Sequence, residues 1–288
     1  MTDADALRSW IGRTERRRET LSPWPLAGLA ATLDHEDPAP RPGDPLPPGA
    51  HWLYFHEAAP MSRLGPDGHP QRGGFLPPVA LPRRMWAGGR LSFHTPLYVG
   101  DAAERVSQVA DIKVRTGRTG DLVFVLVRHT ISGPRGVALV EEHDIVYRDH
   151  PSPDDVPPAP QTAPADAAWS ETVPPSPTLL FRYSALTFNG HRIHYDRPYA
   201  MEEEGYPGLV VQGPLVATLL LDLAGRVRPD RTLTRFAYRV LAPLFDTAPF
   251  TVNGRADGDG PEGDKLALWA AGSAGELAVR AEAAFAAS

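Results

Sequence analysis

Along most of the chain, apolar positions alternate with polar ones or run continuously for a few residues. In Leu122–Thr130 and Ala138–Val146 this pattern suits antiparallel strands buried on at least one face. Comparable runs predict strands at His51–His56, Arg90–Thr95, Ala103–Arg115, Leu122–Ser132 and Ala138–Arg148. A second series follows at Leu179–Ser184, Thr234–Leu241, Phe250–Ala256, Lys265–Ala271 and Leu277–Phe285. Helical spacing is rarer. In Ser22–Asp34, Leu26, Leu29, Ala30 and Leu33 fall at i, i+3, i+4 and i+7, one face of a helix. Tyr199–Glu204 reads as a short helix. Pro214–Arg226 is apolar almost all round, which predicts a buried helix stopping near Gly225.

Prolines divide this series in two. Nine of the 32 lie in 151–178, from Pro151 to Pro177. Proline removes a backbone donor and disfavours helix in its predecessor, so 151–178 reads as a semi-extended linker. The expected organisation is an N-terminal domain over 1–150, this linker, and a C-terminal domain over 179–288. Each half then offers one helix and four or five antiparallel strands. Ser92–Tyr98 (SFHTPLY) and Ala237–Phe245 (AYRVLAPLF) both carry a strand into Pro-Leu-aromatic, a short internal echo. The echo and the linker favour a duplicated α+β fold: two antiparallel sheets, each wrapped around a central helix, a double hotdog. Two unrelated α+β domains are the alternative.

Composition narrows the chemistry. There are no cysteines, which excludes disulfides, thiolate catalysis and thiolate-held metals or clusters. The net charge of -6 offers no basic face for nucleic acid. No apolar run approaches the ~20 residues of a membrane helix. Met1–Thr20 is charged and lacks the apolar core of a secretory signal, so a cytoplasmic location is expected. Only Lys113 and Lys265 are lysine among 29 basic residues, a bias attributable to a GC-rich coding genome.

Two of the ten histidines lie beyond residue 150: His191 and His194, in Phe188-Asn189-Gly190-His191-Arg192-Ile193-His194-Tyr195-Asp196. Imidazole exchanges protons near neutral pH, so this polar cluster is a candidate for acid–base chemistry. A turn with two structural histidines fits the same residues. A metal held by His191, His194 and Asp196 is disfavoured if the segment is extended, because residues three apart then face opposite ways. Downstream, Gly213 opens the buried helix. The first amides of a helix lack internal partners and sit at its positive end, a place for a developing oxyanion. Tight packing at the helix start is the other explanation for that glycine.

Thr187–Asp196 (TFNGHRIHYD), followed by Tyr206–Leu215 (YPGLVVQGPL), resembles the hydratase motif of the MaoC-like hotdog dehydratases. More narrowly it resembles the type 2 hydroxyacyl-thioester dehydratase branch, which includes mesaconyl-CoA hydratases. Leu81–Phe93, Pro96–Asp101 and Glu141–Arg148 resemble that branch's N-terminal domain. The resemblance implies a catalytic C-terminal hotdog and a degenerate N-terminal one that shapes the acyl pocket. It also implies a hydro-lyase adding water to, or removing it from, a short or branched enoyl-CoA such as mesaconyl-CoA. His194 falls on the family's catalytic histidine, with Asp196 at its final acid. Asn189 stands where the wider family has its catalytic aspartate, His191 at its Asn and Arg192 at its Pro. The family's helix-opening His-Gly becomes Gln212-Gly213.

The catalytic candidates are therefore His194 as general base, Asn189 to orient water, and His191 as a second acid/base or orienting group. Gly213 is the oxyanion amide. Arg192, Gln212 and Tyr195 are the substrate-binding candidates, with Arg192 able to meet a substrate carboxylate. Arg192, Arg197, Arg235 and Arg239 are among the cations available for CoA phosphates. No metal and no cofactor is expected, the CoA thioester being substrate, and the chain is expected to be a monomer or homodimer. A hotdog thioesterase and a non-catalytic acyl-thioester-binding subunit are the alternatives.

Overall fold

The structure is a computed structural model that describes residues 3–36, 38–117, 120–150, 159–260 and 263–287. In chain order its elements begin with α1 (Ala4–Arg8), β1 (Thr14–Thr20) and α2 (Trp24–Thr32). A 3₁₀ turn, Ala50–Leu53, precedes four long strands: β2 (Arg83–Phe93), β3 (Ala102–Gly117), β4 (Gly120–Gly133) and β5 (Gly136–Arg148). Then come β6 (Trp169–Val173), α3 (Pro177–Leu186), α4 (Gly213–Val227), β7 (Leu233–Val240), β8 (Phe250–Gly260), β9 (Gly263–Ala271) and β10 (Leu277–Phe285). No helix among the described residues is long and apolar enough to cross a membrane.

All ten strands form one antiparallel sheet, in the order β1-β3-β4-β5-β2-β7-β10-β9-β8-β6. Instead of two separate sheets there are two five-stranded units joined edge to edge. Read from its own outer edge, each has the same internal order: first, third, fourth, fifth, second. The duplication predicted from the echo is thus present in the topology. The two echo segments occupy equivalent places after β2 and β7. Tyr98 bridges to Pro45 and Phe245 to Val210, and the Leu97 and Leu244 carbonyls accept from the Leu46 and Val211 amides. At the seam, β2 pairs with β7 from Gly88↔Arg239 to Ser92↔Arg235. This joining hides one edge of each unit from solvent and from other sheets.

The units differ in what fills their concave faces. In the second, α4 lies on the sheet with Leu215, Val216, Leu220, Leu221 and Leu223 buried against Phe236, Phe250, Leu266 and Leu268. In the first, the segment equivalent to α4 shrinks to the one turn Ala50–Leu53. The predicted helix at Ser22–Asp34 exists as α2, but only Leu26 of it is buried, and it packs beside α3. It is therefore the counterpart of α3, not of α4.

Other elements depart from the sequence pattern for local reasons. Leu179–Ser184 is helical, because Ser176 caps the Leu179 amide and Pro177 occupies the first turn. His51–His56 forms the 3₁₀ turn and a loop. Tyr199–Glu203 is a single π-type turn. β1 reads TERRRET, an edge strand with no apolar alternation to reveal it. Within the proline-rich 151–178, residues 151–158 lie outside the described residues. Trp169–Val173 is a strand pairing β8, with Trp169 and Val173 packed on the second core, so this part is not free linker.

The seam depends on close backbone approach at Gly88, where an added Cβ would stand 2.5 Å from the Tyr238 carbonyl oxygen. Gly88→Ala is expected to cost about 1–3 kcal/mol as overpacking. Thermal unfolding should show a lowered Tm. Gly74→Ala, where nothing lies within 4 Å, is the control and should leave Tm in place.

Candidate active site

The loop after α3 is built on its own backbone and on one neighbouring strand bridge. The Asn189 amide donates to the Ser184 carbonyl, ending the helix. Asn189 Oδ1 accepts the His191 amide at 3.0 Å. A backbone N–H can only donate, so this fixes the side chain with Oδ1 inward and leaves Nδ2 as its donor. A 3₁₀ turn, Arg192–His194, follows. Val210 then holds the loop from two directions. Its amide donates to the Ile193 carbonyl at 2.9 Å, and its carbonyl accepts from His194 Nδ1 at 2.7 Å. Because a carbonyl cannot donate, the proton of neutral His194 is on Nδ1 and Nε2 carries the lone pair.

His194 is buried, and burial lowers its pKa to about 4 despite the favourable Val210 contact. It is neutral at pH 7 and able to accept a proton. His191 stands edge-on to it, ring centroids 5.3 Å apart, and its pKa is driven strongly down by burial and then by His69, His194 and Arg84.

The first unit closes over this loop. Gly68 has φ +84°, and a Cβ there would fall 2.0 Å from the Gly190 carbonyl oxygen, so glycine is required twice over. The Asp67 carbonyl accepts the Arg192 amide at 2.9 Å. Asp67 in turn holds His69 by backbone and ring, Nδ1 to Oδ2 at 3.1 Å, and places the ring 4.1 Å from that of His191.

A cavity of about 570 Å³ runs from the loop into the first unit, large enough for an acyl group and its thioester. Asn189, His191, His194 and Gly213 all line it. Pro214 has no N–H, so Gly213 carries the first available amide of α4. A Cβ at Gly213 would meet only ordinary contacts, 3.5 Å at nearest, so packing alone does not demand glycine there. Trp52 and Trp86 form an apolar wall, edge to face at 5.7 Å. Beyond them the sheet left uncovered by the missing helix presents a polar row. Ser107, His129 and Glu141 are direct cross-strand neighbours, with His143 two residues along from Glu141. Glu141 is buried and accepts from His51 Nε2 at 3.1 Å and Trp52 Nε1 at 3.0 Å. Burial pushes its pKa up, but His51, followed by His129 and His143, outweighs that and holds it ionised, below the usual carboxylate range.

Three predicted site residues do not line the cavity. Arg192 is bound to Asp196 through Nε at 2.9 Å and Nη2 at 2.8 Å, and to the Pro66 carbonyl through Nη1. Gln212 is buried and donates to the Leu180 carbonyl and Ser184 Oγ, tying α4 to α3. Tyr195 is exposed, its hydroxyl on the Gly190 carbonyl. Substrate binding by these three would require breaking those contacts. The ion site weighed at His191, His194 and Asp196 does not assemble, because Asp196 turns to Arg192. The metal-type ligand group among the described residues is Asp67, His69 and His191, with ligand atoms within 4.8 Å of one another. Asp67 and His69 already bond to each other there, and the Arg84 charge beside both rings opposes a cation.

Sequence reasoning missed Asp67, His69, Arg84, Trp86 and the polar row. The signal for the row was present. Glu141, His143, Ile145 and Tyr147 share one phase of β5, so two polar residues occupy the inward phase of an otherwise apolar strand.

The family model for hydroxyacyl-thioester dehydratase type 2 matches residues 49–246. A relative from Chloroflexus aurantiacus, mesaconyl-C(4)-CoA hydratase, is 48% identical over 281 residues, covering 98% of each chain. Among solved structures, a MaoC-like dehydratase aligns with a TM-score of 0.68 at 16% identity, covering 98% of this chain and 100% of its own. A Mycobacterium tuberculosis protein described as a double hotdog aligns with a TM-score of 0.58 at 16% identity, covering 96% of each. These likenesses show the double hotdog fold.

Burial holds His69, His143 and His194 near pKa 4 and His129 near 3, against 6.5 in the unfolded chain. Lowered histidine pKa values mean that the unfolded chain binds more protons between those limits. Stability is therefore complete above pH 6.5 and is lost as pH falls toward 4, by up to ~2 kcal/mol per histidine at pH 5. Calorimetric Tm measured from pH 7.5 to 5 should fall steeply. A flat profile would mean these rings are hydrated and not buried.

Proposed function

The chain belongs to the hydroxyacyl-thioester dehydratase type 2 family and is a hydro-lyase, and from that premise we propose that it hydrates a short, branched enoyl-CoA or runs the reverse dehydration. The mesaconyl-C(4)-CoA of its 48% identical relative is the first candidate substrate. The observation that carries the reading is the His194–Val210 bond, which reserves the Nε2 lone pair of a neutral imidazole in the same cavity as the Gly213 amide.

In this reading water lies between two groups of opposite character. It donates to His194 Nε2 and accepts from Asn189 Nδ2. The thioester carbonyl points at the Gly213 amide, which stabilises the oxygen as it takes on enolate charge. His194 removes the proton as the water oxygen bonds to Cβ. The same ring then delivers a proton to Cα on the same face, a syn addition. Asn189 is not a base, since its amide does not titrate usefully. His191, strongly disfavoured as a cation, orients His194 and does not donate protons. Trp52 and Trp86 keep bulk water from the enolate. Both units contribute to the cavity, so one chain supplies a whole site and a monomer is sufficient.

A thioesterase would want a carboxylate beside α4. The carboxylates lining the cavity are Glu57 and Glu141; Glu141 is committed to His51 and Trp52, and Asp196 to Arg192.

The test is loss of enoyl-thioester absorbance on crotonyl-, mesaconyl-C(4)- and itaconyl-CoA, followed beside a free-thiol assay. Hydration without thiol release is expected, with His194→Ala lowering kcat by ~10²–10⁴-fold. Near-wild-type turnover in that variant would refute the base assignment, and thiol release would refute the reaction class. The base acts while neutral, so kcat/KM should be level near neutrality and fall as pH drops toward about 4.

A further inference from the structure

Four arginines line the cavity: Arg83, Arg84, Arg105 and Arg148. Arg83 is paired with Glu204 at 2.8 Å, and Arg105 has Glu15 at 3.6 Å. Arg84 is different. It is half-buried, yet among the described residues no carboxylate oxygen lies within 4.0 Å of its guanidinium. A cation withdrawn from water without a counterion is costly unless something anionic completes the site.

Its position narrows what that anion is. Arg84 stands on β2 two residues before Trp86, on the same face as the cavity's aromatic wall. Its charge bears on His69 and His191 beside the catalytic loop, and on His143 at the start of the polar row. All three rings are neutral at pH 7. Asp67, a nearby acid, feels the Arg84 charge but stands beyond ion-pair distance of the guanidinium, with both oxygens engaged by His69. His143 Nε2 is buried on the same wall without a partner. A guanidinium and an unpartnered imidazole nitrogen therefore face the space next to the catalytic histidines.

We propose that Arg84 is the carboxylate anchor of this site, taking the free carboxylate of a dicarboxylic enoyl thioester. The proposal rests on the hydratase reading for where the reacting carbon lies. In the C4 thioester of mesaconate, the free carboxylate and the methyl group are both attached to the carbon that water attacks. Its counterion must then stand beside the base and not at the far end of the cavity. Arg84 meets that condition. Arg192, held outside the cavity by Asp196 and Pro66, does not. The planar guanidinium suits two-point contact with a carboxylate. His143 donates a further hydrogen bond, and its ring is fixed by packing 3.9 Å from Trp86. The same charge repels no part of an uncharged acyl group, so the anchor selects by attraction to the dicarboxylate.

The test uses saturated thioesters that cannot react, which separates binding from chemistry. Succinyl-CoA and butyryl-CoA have the same chain length and differ by carboxylate against methyl. Calorimetric titration of the full-length protein should give succinyl-CoA about 30-fold or more tighter binding, the scale of a buried charged contact. Arg84→Gln should collapse the ratio of the two affinities to about one, and Arg84→Lys should restore part of it. A wild-type ratio near one, or a ratio that survives Arg84→Gln, overturns the anchor. Turnover of mesaconyl-C(4)-CoA against 3-methylcrotonyl-CoA is measured in parallel. An Arg84-dependent binding ratio without hydration of either would refute the hydratase reading and leave the anchor standing. Hydration with a ratio indifferent to Arg84 would do the reverse.

Discussion

The absence of one helix governs this molecule. In the second unit, α4 covers the concave face of its half of the sheet and supplies the buried leucines of the core. At the equivalent place the first unit has the single turn Ala50–Leu53, and the cavity occupies what is left. An apolar strand face left bare in this way would expose hydrophobic surface. Here the bare region carries Ser107, His129, Glu141 and His143 instead, with His129 bonded to Ser107 and Glu141 bonded to the turn through His51 and Trp52. The polar row and the short turn are thus one structural fact seen from two elements. What remains of the first core is displaced to its two ends, around Leu53 and Ile131 and around Val109 and Val125.

The second governing condition is electrical. The cavity collects histidines, arginines and a buried glutamate, yet few of the rings are charged at neutral pH. Burial removes the cationic form of His69, His129, His143, His191 and His194. The loop's hydrogen bonds then decide which nitrogen of His194 keeps its proton. Position 189, beside these rings, holds an amide that accepts the His191 N–H without adding a negative charge that would draw protons to them.

The strands and the long helix were legible because they follow simple periods: continuous or alternating apolar runs for β3, β4 and β5, and an all-round apolar segment for α4. The loop of the candidate site was legible through motif resemblance, and His194, His191, Asn189 and Gly213 line one cavity. Three kinds of information were not local. β1 is polar throughout, and only its partner β3 makes it a strand. α3 is too short to show a period, although Ser176-Pro177 announced its start. Gln212 spends its amide on Ser184, 28 residues away, while Arg192 and Tyr195 turn to Asp196 and Gly190 within their own loop, a choice that only the loop's fold settles. Conversely, Asp67 and His69 are more than a hundred residues from the loop they touch, and nothing in their spacing signals it.

The edge-to-edge seam between β2 and β7 has a consequence for symmetry. When two identical hotdogs pair, every substitution is made twice, and shortening the central helix would empty both cores together. Joined in one chain, the two copies no longer have to agree. One can keep its helix and hold the fold upright while the other gives up its filling and becomes a room. The space where a second helix would lie is the cavity that both copies line.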